Sequence, residues 1–261
     1  MIATDKSPLI IGHRGASALA PENTLAAFAR ALRDGAAGIE LDVRLSRDGV
    51  PVVIHDAALR SRLRKRFVSR MTGEKLRQID VGSWFNRRHR HLARLEYTRQ
   101  TIPTLDDVFA LIDNQPNKRS IVYVELKCGR SRKLNNAIAR ETLGVIHQRQ
   151  LEQRVVVISF NLPTIARVKE IDPAIRTGAL FGPRQAALRS AEKIIAATLR
   201  CAANEILLHH QIATKKVATA AHLHNLPVVV WTVDNSKWMS RARELGVHAL
   251  MTNDPTSMLG V

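Results

Sequence analysis

Residues 7–43 read SPLIIGHRGASALAPENTLAAFARALRDGAAGIELDV, and they contain one complete strand–helix–strand passage. Leu9 to His13 is a short apolar run rich in β-branched residues. Thr24 to Leu32 carries apolar residues at helical spacing, and Gly38 to Val43 alternates in the manner of a strand. Two strands joined through a helix must run parallel, because only a long crossover can return the chain to the same end of a sheet.

The same unit recurs along the chain. Strand-like runs are expected at Ile121 to Leu126, Val155 to Ser159, Ile175 to Leu180, Glu205 to Leu208, Pro227 to Thr232 and His248 to Thr252, which makes eight with the first two. Helical periods fall between them at Leu105 to Ile112, Leu134 to His147, Thr164 to Ile171, Ala186 to Leu199, Thr214 to Leu223 and Lys237 to Leu245. Eight such units in 261 residues imply an α/β fold, a TIM-like (β/α)8 barrel, which needs roughly 250 residues. One barrel domain spanning residues 1–261 is therefore expected. Only Val52 to Thr104 breaks the rhythm: PVVIHD at 51–56 is followed by a long basic stretch, read as a small insertion after the second strand at approximately 57–103.

That insertion concentrates the charge of the chain. The whole sequence carries a formal net charge of +17, and Ala57 to Pro103 holds 13 Lys or Arg against three Asp or Glu. Such an excess draws phosphates, anionic membrane surfaces or nucleic acid without choosing among them, and a solvated surface would look the same. The remaining composition is that of a globular protein, with 45% hydrophobic residues and no apolar run long enough for a membrane helix. The start, MIATDKSPLI, lacks the pattern of a signal peptide, and two cysteines, Cys128 and Cys201, are too few for a disulfide framework, so a cytoplasmic location is expected.

Barrels carry their reactive groups where strands end. In GIELDV, alternation sends Ile39, Leu41 and Val43 to one face and Glu40 and Asp42 to the other, roughly 6.5 Å apart along the strand. VYVELK places Tyr123, Glu125 and Lys127 on the equivalent face. Like charges on a buried strand demand a shared proton or a cation between them. Three carboxylates suit a hard divalent ion, Mg2+ or Ca2+; an internal salt bridge of Glu125 with Lys127 or Arg44 would also satisfy the pattern.

IGHRGA ends the first strand with His13 and Arg14, and PVVIHD ends its run with His55. Two histidines at strand ends can serve as acid and base on either side of a phosphorus, and the guanidinium fork of Arg14 matches phosphate oxygens. APENT reads as a turn into a helix capped by Asn23 or Thr24, whose N-terminus could help hold an anion.

Ten segments together resemble a known family: HRGA at 13–16, PENT at 21–24, ELDV at 40–43, VIHD at 53–56, GSWF at 82–85, IPTLDDV at 102–108, VELK at 124–127, ISFN at 158–161, VWTVDN at 230–235 and TNDP at 252–255. In order and spacing they resemble the glycerophosphodiester phosphodiesterases. The resemblance implies a (β/α)8 barrel with an insertion after its second strand, a divalent metal, and hydrolysis of glycerophosphodiesters to glycerol 3-phosphate and an alcohol. Carried over by motif, Glu40, Asp42 and Glu125 would bind the metal, and Arg14 and Lys127 would hold phosphate. His13 and His55 would form the acid–base pair; one order has His55 take a proton and His13 protonate the leaving alkoxide, and the motifs leave the reverse order open. Trp231 matches an aromatic near the family's substrate pocket; Ser159, Asn161 and Asn253 are weaker matches.

The insertion departs from the family, with ALRSRLRKRFVSRMTGEKL at 58–76 in place of a threonine- and glycine-rich stretch. Its charge suggests a phosphatidylglycerol-derived diester or an anionic lipid surface as partner. Two other readings are a phospholipase D-like hydrolase acting on lysophospholipids and a basic nucleic-acid-binding barrel. The chain has no motif or aromatic-basic interleaving that would support the second.

Overall fold

The computed structural model describes residues 7–60, 65–115, 119–186 and 189–260. The strands are β1 (Leu9–His13), β2 (Gly38–Leu45), β3 (Pro51–Val53), β4 (Ala58–Arg60), β5 (Lys65–Phe67), β6 (Ile121–Leu126), β7 (Val155–Ser159), β8 (Arg176–Phe181), β9 (Glu205–His209), β10 (Val228–Trp231) and β11 (Ala249–Thr252). Eight of them, β1, β2 and β6 to β11, pair side by side in parallel, and β1 joins both β11 and β2, so the barrel closes. The barrel expected from the sequence is the one observed.

Alternation divides each strand between two cores. Ile39, Leu41, Val43, Val122, Val124 and Leu126 face outward into a layer shared with the surrounding helices. Tyr123, Ile158, Leu180, Leu207, Val229 and Met251 fill the barrel itself. The two strands that carry the carboxylates approach closely at Gly38, where a Cβ would stand 2.1 Å from the backbone oxygen of Ile121.

Helix positions agree with the sequence to within a few residues, with one difference. The stretch expected as one helix from Ala186 to Leu199 is observed as Pro183–Ala186 and, separately, Ala191–Arg200; residues 187–188 of that span lie outside the described residues. Ser190 accepts from the Lys193 N–H and begins the second helix afresh. Thr24 rather than Asn23 caps the helix Leu25–Arg33, accepting from the Ala27 N–H.

The segment between β2 and the helix Leu105–Asp113 is more structured than its charge suggested. β3 turns back antiparallel along β2, pairing Val43 with Val53 and Leu45 with Pro51. β4 and β5 make a small hairpin, although positions 61–64 of the basic stretch lie outside the described residues. Val52, Val68, Leu76 and Ile102 form one small core, and Phe85 and Tyr97 pack with Ala20 and Ala27 in another. Through the Tyr97 hydroxyl, which donates to the Leu19 carbonyl at 3.2 Å, this segment rests on the loop after β1. No helix among the described residues is long and apolar enough to cross a membrane.

Candidate active site

The backbone turns sharply after β1: Arg14 has φ 55° and Gly15 φ 81°. A Cβ at Gly15 would meet the Ala27 backbone at 2.5 Å, so glycine alone lets the loop fold onto the following helix. The turn aims the Arg14 N–H at Glu40 Oε2, 3.0 Å away.

Strand register then assembles the acids. β1 places His13 beside Glu40, and β2 places Asp42 beside Glu125 on β6. Glu40, Asp42 and Glu125 each offer an oxygen within 4.8 Å of the others, and their exposures are 1%, 1% and 8%. Lys127 Nζ lies 2.8 Å from both Asp42 Oδ1 and Glu125 Oε1, so the Glu125–Lys127 ion pair weighed from the sequence exists beside the carboxylate cluster. Arg44 instead donates from Nε to the His55 carbonyl at 2.8 Å. Arg14 spans Glu22 and Asp42, its Nη1 3.0 Å from Glu22 and its Nε 3.2 Å from Asp42 Oδ2.

These charges divide the three acids. Burial pushes the Asp42 carboxyl up, but Lys127 and Arg14 outweigh it and hold the group down at about 2. Burial dominates for Glu125, which is pushed up to about 7 despite Lys127. Glu40 is raised well above the ordinary range by burial and then by Asp42 and Glu125. Among the described residues the cluster sets three carboxylates against two nearby cations, Arg14 and Lys127, which leaves one negative charge without a counter-charge. An all-oxygen donor set with an unmet charge fits a hard divalent ion.

The two histidines reach this centre from different elements. His13 sits at the end of β1 with Nδ1 2.7 Å from Asn253 Oδ1 and Nε2 3.9 Å from Glu40 Oε2. Burial and then Arg14 push it down to about 4. His55 follows β3, tied to β2 by the Ile54 N–H on the Asp42 carbonyl at 2.8 Å, and its Nδ1 lies 3.0 Å from Asp56 Oδ1. Both line a cleft of about 230 Å³ together with Glu40, Glu125 and Lys127, and Phe160, Trp231 and Met251 form an apolar wall. The Trp231 indole N–H is buried without an acceptor among the described residues. All eight residues singled out from the sequence thus converge at one mouth.

Several partners were not legible in advance. Asn23, taken as a cap candidate, instead has φ 57° and donates from Nδ2 to Asp42 Oδ2 at 2.8 Å while accepting the Asp42 N–H at 3.2 Å. Glu22 steadies Arg14. Asp234 binds both the backbone and side chain of Asn253. Only the PENT, TVDN and TNDP segments hinted at them. Ser159 and Asn161 serve locally, Ser159 donating to the Leu126 carbonyl at 2.9 Å and Asn161 capping the helix Leu162–Ile171.

Known proteins share this sequence and shape. A glycerophosphodiester phosphodiesterase of Caldanaerobacter subterraneus is 32% identical over 254 residues, which is 97% of each chain. The structure of an Oleispira antarctica phosphodiesterase in complex with the product sn-glycerol-3-phosphate superimposes with a TM-score of 0.82 at 25% identity, covering 99% of this chain and 98% of the other. A glycerophosphodiester phosphodiesterase from Agrobacterium tumefaciens superimposes with a TM-score of 0.76 at 26% identity, covering 97% of this chain and 100% of the other. The sequence model of one family matches residues 13–257, from the first histidine of the mouth to the helix after β11. On that match, and on a barrel whose mouth gathers the acids, cations and histidines of the quoted motifs, the chain belongs to the glycerophosphoryl diester phosphodiesterase family.

Proposed function

We propose that this chain hydrolyses glycerophosphodiesters to glycerol 3-phosphate and an alcohol, with the barrel and residues 57–103 working as one domain. The observation that carries the reading is the meeting of Glu40, Asp42, Glu125, His13, His55 and Lys127 around one cleft in a member of this family. Glu40, Asp42 and Glu125 would hold a divalent cation, Mg2+ or Ca2+, which when bound supplies Lewis acidity at the phosphoryl group and to the attacking hydroxyl.

The side chains do the rest. Arg14 and Lys127 present N–H groups to the phosphate oxygens, and the unpartnered indole N–H of Trp231 can donate to a substrate oxygen. Each histidine has its Nδ1 engaged, His13 by Asn253 and His55 by Asp56, which leaves Nε2 for proton transfer. His55 takes the proton from the attacking oxygen as it bonds to phosphorus; that oxygen is a water's, or the neighbouring glycerol hydroxyl's with a water then opening the cyclic diester to glycerol 3-phosphate. His13 gives one to the alkoxide as its bond to phosphorus breaks. An anionic diester beside His13 opposes the burial that lowers its basicity and favours the charged imidazole.

Metal-stripped protein is expected to release no glycerol 3-phosphate from glycerophosphocholine or glycerophosphoglycerol, and to recover when Mg2+ or Ca2+ returns. Failure with both diesters and both ions would overturn the reading. The same ions should raise the melting temperature, by the equivalent of about 2.7 kcal/mol at a hundredfold excess over Kd. Glu40→Gln, which removes one ligand charge, is expected to abolish most of that shift in differential scanning calorimetry.

A second surface supports a lipid setting for this chemistry. Trp84 is 43% exposed and Leu95 78% exposed, on a segment that also carries Arg87, Arg88, Arg90, Arg94 and Arg99 and packs on the loop after β1. This basic, apolar-tipped segment is proposed to rest on anionic lipid, in the cytoplasm, where unpaired Cys128 and Cys201 are at home. Phosphatidylglycerol-containing vesicles are expected to pull the protein down at low salt and release it as salt rises. Equal recovery on neutral vesicles, or capture by nucleic acid alone, would remove the proposal.

A further inference from the structure

A histidine can exchange a proton with substrate only through the ring nitrogen that faces it, and a ring free to flip or change tautomer presents the wrong atom part of the time. The His13 ring is held by a chain of polar groups drawn from two other strands. Its Nδ1 lies 2.7 Å from Asn253 Oδ1, just after β11. Asn253 Nδ2 in turn donates to Asp234 Oδ2 at 2.7 Å, in the loop after β10. Asp234 Oδ1 receives the Asn253 backbone N–H at 2.7 Å and the Thr252 hydroxyl at 3.0 Å. The carbonyl of Asn253 is anchored as well, by the Ala18 N–H at 2.9 Å.

The chemistry of these groups leaves one arrangement. A carboxylate has no hydrogen to give, so the carboxamide of Asn253 must turn its NH2 to Asp234 and its oxygen to His13. That oxygen can only accept, so His13 must carry a hydrogen on Nδ1. Its Nε2 then faces Glu40 and the cleft. We propose that Asp234 and Asn253 are positioning residues that fix the tautomer and ring orientation of His13, making Nε2 the atom that exchanges a proton with substrate. The claim about proton exchange rests on the acid–base reading of His13 above; the claim about the tautomer does not.

Three variants test it: Asn253→Ala, Asp234→Asn, and the reciprocal double Asp234→Asn/Asn253→Asp. In the double variant the carboxamide at 234 donates to the carboxylate at 253, whose other oxygen again accepts from Nδ1. Each single variant is expected to lose on the order of tenfold to a hundredfold in kcat with KM within about threefold, and the double to recover most of the loss. Nitrogen-15 NMR of histidine-labelled protein, without substrate, should show His13 in the Nδ1–H form in wild type and in the double, and mixed in the singles. Wild-type kcat in Asn253→Ala would overturn the proposal. So would an unchanged His13 tautomer in both singles, or a double no faster than Asp234→Asn. If wild type releases no glycerol 3-phosphate, or His13→Ala keeps the wild-type rate, the acid–base reading falls instead, while the NMR still decides the tautomer claim.

Discussion

His13→Ala is expected to lower kcat by on the order of a hundredfold or more while the protein stays folded. The imidazole meets Asn253 through one nitrogen and the cleft through the other, so on the function proposed above its removal would delete a proton carrier. It takes little from the scaffold. The ring stands at the mouth rather than in the barrel core, and Asn253 Oδ1 keeps the Ser17 hydroxyl within 2.9 Å as a donor. Steady-state release of glycerol 3-phosphate, paired with a thermal melt, separates the two effects. A variant that melts like wild type and works within about threefold of it would take His13 out of the chemistry.

The opposite end of the barrel should respond the other way round. At the start of β9, Glu205 is 1% exposed; the Tyr123 hydroxyl donates to it at 3.0 Å and the Arg176 guanidinium pairs with its other oxygen. Arg176→Ala leaves a buried carboxylate facing a neutral hydroxyl and no cation. The Arg176 side chain is 37% exposed, so water reaches the pair and screens part of the loss, and stranding the buried Glu205 carboxylate costs about 2 kcal/mol. For a chain of this size the expected fall in Tm is about 4–8 °C. Folded variant assayed well below its melting point should keep its kcat, because residues at this end of a barrel serve stability rather than reaction. Arg176→Ala melting within about 2 °C of wild type would show that the pair carries little of the fold.

The difference between what could and could not be read from the sequence lies in range. β1, β2 and β6 announce themselves because alternation is a local property: Glu40, Asp42 and Glu125 had to share a face once Ile39, Leu41 and Val124 took the other. The β4–β5 hairpin was hidden by its basic residues, and the β3 turn-back by its length, since three residues are too few to show a period. The reach of Asn23 was hidden for a related reason. A residue before a helix looks like a cap, and only the fold reveals that its neighbour Thr24 does the capping while Asn23 reaches Asp42. Asn253 could be picked out as a motif match but not paired with His13, 240 positions away.

That pairing joins the first strand of the barrel to the last. On the ribosome, both histidines, the three acids and Lys127 have emerged once residue 127 is out, yet Asn253 and the strand that closes β1 against β11 come only more than 120 residues later. A growing chain therefore displays its reactive groups long before it can orient them. Hydrolytic competence is expected to arrive late and all at once, so fragments abandoned midway through translation would be inert as well as unfolded.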